Sequence, residues 1–260
     1  MEQVQSADGT TIAFDRSGAG PAVVLVVGAF NDRSSTKSLA AGLGASFTVY
    51  AYDRRGRGDS GDGDSYSVER EVEDLYAVIE AAGGSAAVFG HSSGAALALE
   101  AAGRGVPMRR LVVYEPPYTE GPNDAFAARL ERLVAAGRRA EAVEAYLALL
   151  GTAPASIEQM RAGPYWAHLT TLAHTLPYDI RLCNNGALPI DRLARITAPT
   201  LALAGGDSPT WAREGAFAIA EAVPVGRARV LAGQGHGVAD EVLIPLLAEF
   251  FLSSAGRLVD

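Results

Sequence analysis

The stretch that most constrains the fold runs from Ala86 to Gly103, where a short apolar segment leads into Gly-His-Ser-Ser-Gly and then into an alanine- and leucine-rich segment. This order predicts a strand, a sharp turn and a helix. A side chain at Gly90 or Gly94 would collide with the strand or the helix, so the turn needs small residues on both sides of Ser92. The turn therefore presents the Ser92 hydroxyl at a strand end, in front of a helix N-terminus.

The pentapeptide around Ser92 is weak evidence by itself, because Gly and Ser are ordinary turn residues and the G-x-S-x-G pattern arises by chance. Its context is more informative. The predicted strand before it and the predicted helix after it are the surroundings that a nucleophilic serine of this motif requires. The context therefore favours a nucleophile at Ser92 over an ordinary turn.

Apolar runs predict the strands of the chain, and the continuous aliphatic run at 22–27 is typical of a strand buried on both faces of a parallel sheet. The apolar runs lie at 22–27, 47–52, 86–89, 110–114, 200–204 and 228–231. Amphipathic segments such as 66–80 separate them, and residues 2–16 predict an edge hairpin. Alternation of strands with helices predicts the α/β class, with a mostly parallel sheet flanked by helices.

Residues 118–196 differ in character from the rest of the chain, because four helical patterns follow one another with no strand between them. They cover 123–136, 138–150, 155–161 and 165–176, the last one ending before Pro177. A chain of 260 residues, 48% of them hydrophobic, is long enough for one large core with an insertion. We therefore expect a core domain formed by 1–117 and 197–260, with 118–196 as a helical lid.

Three ordered motifs carry a family resemblance. They are Gly90-His91-Ser92-Ser93-Gly94, the loop Asp53-Arg54-Arg55-Gly56-Arg57-Gly58-Asp59-Ser60 and the glycine-flanked His236 after the last predicted strand. Together they resemble the α/β-hydrolase superfamily over nearly the whole chain. The resemblance implies an α/β-hydrolase core with a helical lid and a Ser-His-acid triad. It also implies that the charged groups of the 53–60 loop pair near the nucleophile turn, and no P-loop lysine accompanies them to suggest phosphate binding.

The resemblance assigns Ser92 as the nucleophile and His236 as the base, and leaves two candidates for the acid. Glu115 follows the strand 110–114, and the two prolines after it end that strand and hold Glu115 at its tip. Asp207 follows the next strand, but a gapless alignment places Ser208 in the usual slot, and a one-residue offset can turn a side chain to the wrong side. We expect Glu115 rather than Asp207, with both left open.

The resemblance also implies an oxyanion hole, formed by the backbone N–H groups of Phe30 and Ser93. The first of these follows the strand 22–27 in Gly28-Ala29-Phe30, where the family usually has His-Gly. We expect an apolar, aromatic pocket beneath the lid. The predicted substrate-binding residues are Ala29, Asn31, His91, Tyr118, Trp166 and Val238.

Composition excludes several other classes. The net charge of −8 provides no basic stripe for nucleic acid. The single Cys183 allows no internal disulfide, and the spacing of His168 and His174 fits no zinc motif. The N-terminus lacks a signal-peptide pattern, and no apolar run is long enough for a bilayer. We expect a cytoplasmic protein that acts on a small molecule without a metal, a cofactor, nucleic acid or a membrane.

A serine at the turn argues against chemistry that passes through a carboxylate ester of the enzyme. The predicted reaction is therefore acyl transfer from a small or medium-sized ester, lactone or thioester, through an acyl-enzyme on Ser92. Two alternatives stay open: a carbon–carbon bond hydrolase or cofactor-free biosynthetic cyclase in the same pocket, and a non-catalytic ligand-binding protein. The altered Gly28-Ala29 and the offset of Asp207 keep the last of these open.

Overall fold

A computed structural model describes residues 1–119 and 124–253 of the protein. Within these residues eight strands form one sheet in the order β1-β2-β4-β3-β5-β6-β7-β8. The strands are β1 (Glu2–Gln5), β2 (Thr11–Gly18), β3 (Ala22–Val26), β4 (Thr48–Tyr52), β5 (Ala86–His91), β6 (Met108–Tyr114), β7 (Thr200–Gly205) and β8 (Gly226–Leu231).

The sheet is parallel except at one edge. Strand β2 pairs antiparallel with both β1 and β4, and every other pairing is parallel. The central strands β3, β4 and β7 are buried at every position, in agreement with their unbroken apolar sequences. The predicted fold class is confirmed: a mostly parallel sheet flanked by helices.

Five helices cover the two faces of the sheet. They are α1 (Lys37–Leu43), α2 (Val68–Ala81), α3 (Ser93–Gly103), α10 (Thr210–Ala222) and α11 (Asp240–Leu252). Helices α2, α3 and α10 pack their apolar residues into one core cluster, and α1 and α11 form a second cluster on the opposite face. None of the helices in the described part of the chain is long and apolar enough to cross a membrane.

Six helices lie between β6 and β7 in the described residues, and we call them the inserted helices. They are α4 (Asp124–Ala135), α5 (Arg139–Leu149), α6 (Pro154–Ala162), α7 (Trp166–Thr171), α8 (Leu176–Leu182) and α9 (Ile190–Leu193). The inserted helices form a third core cluster, which also contains Phe30 from the loop after β3. The inserted helices therefore pack directly on that loop. Asn123, where the first helix is predicted to begin, lies outside the described residues.

The sequence-based prediction was wrong around Pro177. The predicted helix 165–176 is in fact α7 followed by a 3₁₀ turn, Ala173–Thr175, and Pro177 stands in the first turn of α8 instead of ending a helix. A proline is tolerated there because the N–H groups of a first helical turn have no partner within the helix. As a result, α8 presents a further charged residue, Asp179, that the prediction did not place on any helix.

The turn between β5 and α3 has the predicted geometry. Ser92 has φ 55° and ψ −126°, a left-handed backbone conformation that is uncommon for a non-glycine residue. A Cβ at Gly90 would lie 2.6 Å from the carbonyl oxygen of Gly94, and a Cβ at Gly94 would overlap the carbonyl oxygens of Val26 and Val27. Both glycines are therefore required by the close approach of helix to strand.

We predict that Gly94→Ala lowers the free energy of unfolding by about 1–3 kcal/mol, because the new methyl group meets rigid backbone. Gly215→Ala is the matched control, since Gly215 is also helical and a Cβ there meets nothing within 4 Å. That variant should gain up to about 1 kcal/mol from helix propensity alone. Urea unfolding of both variants measures the difference, and equal stabilities would contradict the assigned packing of the turn.

Candidate active site

Three strand ends meet in unusual backbone conformations. Phe30 after β3, Ser92 after β5 and Glu115 after β6 have φ values of 60°, 55° and 48°. Non-glycine residues in this region are strained by about 1–3 kcal/mol each, and such strain is concentrated at functional sites. Because the three strands are neighbours in a parallel sheet, the three residues lie at one edge of it.

Glu115 and His236 form the central contact of this edge. The Nδ1–H of His236 donates to Oε2 of Glu115 at 2.7 Å, and the amide of Gly205 donates to the other carboxylate oxygen at 2.7 Å. Burial alone would raise the pKa of Glu115, but the contacts with His236, the nearby Ser208 hydroxyl and the Gly205 amide hold it below its usual range. With Nδ1 protonated, Nε2 of His236 keeps a lone pair that can accept a proton.

Asp207, the other predicted acid, is not brought to His236. Its backbone N–H donates to Gln234 at 2.9 Å, and its exposed carboxylate makes no hydrogen bond to any described residue. The neighbouring Ser208 is the residue that is buried, on the side of Glu115. Both residues lie in the turn after β7, and this turn buries Ser208 and leaves Asp207 exposed.

His91 holds the His236 loop against the turn at Ser92. Its Nε2–H donates to the carbonyl oxygen of His236 at 2.9 Å, and the two imidazole centroids are 4.8 Å apart. The Tyr114 hydroxyl donates to the carbonyl oxygen of Gly235, one residue earlier in that loop. Burial, together with the neighbouring His236, lowers the pKa of His91 to about 4, so His91 is neutral near pH 7.

The Ser92 hydroxyl makes no hydrogen bond within residues 1–119 and 124–253, so its contact with His236 is not formed in this structure. Such contacts are commonly long in unliganded enzymes and tighten when substrate binds. The loop after β3 comes close to the serine, since a Cβ at Gly28 would lie 2.9 Å from the Cβ of Ser92. The Ser92 side chain therefore stands directly beside the loop after β3.

The loop that carries Phe30 is fixed mainly through its carbonyl groups. The Nε2–H of His168 donates to the Phe30 oxygen at 3.2 Å, and the Asn31 side chain donates to the Ala29 oxygen at 2.7 Å. The Phe30 ring packs edge-on against Tyr146 with centroids 5.3 Å apart. The N–H groups of Phe30 and Ser93 have no acceptor in the described part of the chain, which leaves both available to a ligand.

Beneath the turn lies a buried ionic cluster, formed by Arg54, Arg57, Glu71, Asp179 and the hydroxyl of Ser93. Arg54 makes two 2.7 Å bonds to Glu71 and a 2.9 Å bond to Asp179. Arg57 bonds both oxygens of Asp179, at 2.8 and 2.9 Å. The four charged side chains are at most 2% exposed, and two cations balance two anions.

Asp179 keeps a pKa below its usual range although it is fully buried. Burial raises the pKa of a carboxyl group, but the charges of Arg57 and Arg54 and the Ser93 hydroxyl outweigh that effect. The third arginine of the loop, Arg55, makes two 2.7 Å bonds to Asp74. Each of the three arginines of the 53–60 loop is thus paired with a carboxylate, and Arg54 also bonds the Ser93 hydroxyl next to the turn.

The remaining predicted binding residues lie against three different core clusters. Ala29 and Trp166 are partly buried against the core of the inserted helices, beside Phe30. Tyr118 is instead buried in the core beside α3, near Glu100, which is about 10 Å along that helix from the turn. Val238 packs against the cluster that contains α11. The prediction that Tyr118 binds substrate was therefore wrong, because its side chain belongs to the core.

Sequence reasoning missed two side chains that act on this edge. The spacing of His168 excludes a zinc motif but predicts no other contact, yet His168 bonds the Phe30 carbonyl. Asp179 was not singled out, and a lone aspartate on a short helix offers no local signal. A correct reading of Pro177 as a helix start would have placed Asp179 on a helix, but not in this cluster.

Among the described residues no group of three or more His, Cys, Asp or Glu could hold a metal ion.

Comparison with known proteins identifies the class that this sheet and this site belong to. Residues 23–242 match the model of the alpha/beta hydrolase family. The chain belongs to that family.

Three similar proteins show how far the likeness extends. A crystal structure of an alpha/beta hydrolase from Sphaerobacter thermophilus is 46% identical, covers 96% of this chain and 100% of that one, and has a TM-score of 0.88. N-formylmaleamate deformylase from Pseudomonas putida is 35% identical over 127 residues, 47% of each chain. The match thus spans about half the length of this curated relative. The N-formylmaleamic acid deformylase from Pseudomonas putida S16 shares the fold, with 20% identity over 94% of this chain and 98% of that one and a TM-score of 0.66.

The low pKa of His91 predicts a pH-dependent stability. Above about pH 6.5 the side chain is neutral in both states, whereas between pH 6.5 and about 4 only the unfolded chain takes up the proton. The contribution of His91 is therefore present above pH 6.5 and is lost as the pH falls toward 4, with a slope below the limit of about 1.4 kcal/mol per pH unit because the ring is partly exposed. His91→Gln should flatten urea-derived stability across this window. An unchanged slope would contradict the environment described for His91.

Proposed function

We propose that the protein is a serine hydrolase in which Ser92 is the nucleophile, His236 the general base and Glu115 the acid that orients it. The observation that carries this proposal is the 2.7 Å contact of His236 with the buried Glu115, beside a strained Ser92 that points from a strand end. A serine hydroxyl is a poor nucleophile at neutral pH and needs an adjacent base. A base of this kind works best when a carboxylate fixes its tautomer.

In the proposed reaction the Ser92 oxygen attacks a substrate carbonyl carbon, and Nε2 of His236 accepts the serine proton. The negative charge moves to the carbonyl oxygen, where the N–H groups of Phe30 and Ser93 stabilise it. Glu115 stabilises the imidazolium. His236 then returns the proton to the leaving group, and a water molecule activated by His236 releases the acyl group from Ser92.

We propose small or medium-sized esters, lactones or thioesters as the substrate class. The inserted helices support a limited acyl size, because α7 reaches the loop of the proposed oxyanion hole through His168, and the Tyr146 ring of α5 packs edge-on against Phe30. Walls of this kind suit a largely apolar acyl group. We further propose a cytoplasmic role, since the single Cys183 is a buried free thiol.

A second candidate is hydrolysis of a small N-acyl bond. The partial match to N-formylmaleamate deformylase favours it. The same residues would serve, with His236 protonating a nitrogen leaving group, which needs the proton more than a phenolate does. Hydrolysis rates on p-nitrophenyl formate, acetate and butyrate, compared with those on N-formyl and N-acetyl anilides, separate the two candidates.

The nucleophile is tested with a fluorophosphonate probe. We predict that the wild-type protein gains one phosphonyl group and that Ser92→Ala abolishes the labelling, because only an activated serine attacks phosphorus at a useful rate. Ser34→Ala, which alters a surface serine in the 3₁₀ turn after β3, is the control and should label normally. Labelling that persists in Ser92→Ala overturns the proposal. Absence of labelling on folded wild-type protein favours the non-catalytic binding protein.

The acid is tested by two matched carboxylate-to-amide changes. We predict that Glu115→Gln lowers kcat by about 10³–10⁴-fold, the range seen when a triad acid loses its charge. Asp207→Asn should stay within about twofold of the wild type, because the Asp207 carboxylate is exposed and bonds no described residue. Kinetics on p-nitrophenyl acetate give both values, and a larger loss from Asp207→Asn would reverse the assignment.

A further inference from the structure

The buried ionic cluster reaches one half of the proposed oxyanion hole through Ser93. The Ser93 hydroxyl donates to Oδ1 of Asp179 at 2.7 Å, and Arg54 donates to the same hydroxyl at 3.2 Å. The side chain of Ser93 is therefore fixed on both its donor and its acceptor side. Because the side chain and the N–H of one residue share a Cα atom, this anchor also restrains the direction of the Ser93 N–H.

The same cluster reaches the other half through Arg57. One end of its guanidinium donates to the carbonyl oxygen of Gly28 at 2.6 Å, and the other end bonds both oxygens of Asp179. Gly28 stands two residues before Phe30, in the loop that carries the second N–H. Because the donors of a planar guanidinium have a fixed mutual geometry, Arg57 holds the Gly28 carbonyl group and the Asp179 carboxylate in a defined relative position.

We propose that Asp179 is a positioning residue that makes the N–H groups of Ser93 and Phe30 converge on one point. This inference rests on the proposed function. Asp179 accepts bonds from Ser93, Arg54 and Arg57, so its carboxylate is fixed in three directions, and through Arg57 it connects the Ser93 hydroxyl to the Gly28 carbonyl group. Since Asp179 stands on α8, the inserted helices set the geometry of the hole as well as its cover.

Glu71 shows why the role belongs to Asp179. Both oxygens of Glu71 bond Arg54, and neither bonds Ser93 or the 28–31 loop. Glu71 thus supplies charge balance for Arg54. Loss of the Asp179 charge would instead free the Ser93 hydroxyl and release Arg57 from its orientation toward Gly28. An oxyanion hole depends on donor placement, and a misplacement of about 1 Å costs roughly 10²-fold in rate.

The test compares Asp179→Asn with Asp74→Asn. Asp74 is the matched control, because it is an equally buried carboxylate that makes two 2.7 Å bonds to an arginine of the same loop, and it touches neither half of the hole. With p-nitrophenyl acetate, well below each melting temperature, Asp179→Asn should lower kcat by about 10²–10³-fold with KM within a few fold. The inhibition constant of this variant for an aryl trifluoromethyl ketone should rise by a similar factor. Asp74→Asn should keep all three values within about threefold of the wild type.

Ser93→Ala provides the second variant, since it removes the hydroxyl and keeps the N–H. It should lower kcat by a smaller factor than Asp179→Asn and leave KM unchanged. In ¹H–¹⁵N spectra the Ser93 and Phe30 amide resonances should both shift in Asp179→Asn, whereas Asp74→Asn should leave both in place. If Asp179→Asn does not fold, Ser93→Ala decides the proposal by its kcat, its KM and its inhibition constant for the trifluoromethyl ketone.

Two results would overturn the positioning role. One is an equal fall in kcat for Asp179→Asn and Asp74→Asn, which would mean that the loss reflects a weakened core. The other is a folded Asp179→Asn with wild-type amide resonances and wild-type kcat, or a folded Ser93→Ala with wild-type kcat. A wild-type protein that neither hydrolyses esters nor reacts with the fluorophosphonate overturns the proposed function instead, and the amide resonances then decide the role of Asp179 alone.

Discussion

The structure depends on holding three neighbouring strand ends in a left-handed backbone conformation. Ser92, Phe30 and Glu115 each adopt a positive φ that costs about 1–3 kcal/mol and persists only where the surroundings fix it. Each is fixed differently. Gly90 and Gly94 let α3 press against the turn at Ser92, ring packing and a carbonyl bond hold Phe30, and backbone bonds to β7 hold Glu115.

The buried ionic cluster is the second device that holds this edge. Four buried charges are costly, and the cost is offset only because each of them is paired with an opposite charge and bonded through two or more hydrogen bonds. Removal of one member of such a cluster typically costs about 3–5 kcal/mol, because it leaves an unpaired charge. The cluster joins the 53–60 loop, α2, α8 and the start of α3, so the inserted helices and the nucleophile turn share one electrostatic support.

Much of this arrangement could be predicted from the sequence where the signal is local. The elbow glycines, the buried strands and the two prolines that place Glu115 at a strand tip are such signals. The prediction that a helix ends before Pro177 was wrong, because a proline fits the start of a helix as well as the end of one. The packing of α8 decides between the two. The contacts of His168 and Asp179 join residues more than 80 positions apart, so no local pattern reveals them. The unusual φ of Phe30 also depends on tertiary contacts.

In the proposed reaction the Ser92 oxygen bonds the substrate carbon, and the oxygen of the former carbonyl group accepts hydrogen bonds from the N–H groups of both Phe30 and Ser93. A crystal structure of the wild-type protein after reaction with a small fluorophosphonate tests it most directly. The account predicts phosphorus bonded to the Ser92 oxygen, with the phosphonyl oxygen about 2.7–3.1 Å from the nitrogens of Phe30 and Ser93 and with His236 still bonded to Glu115. A phosphonyl oxygen turned away from both nitrogens, or an adduct on another residue, would contradict it.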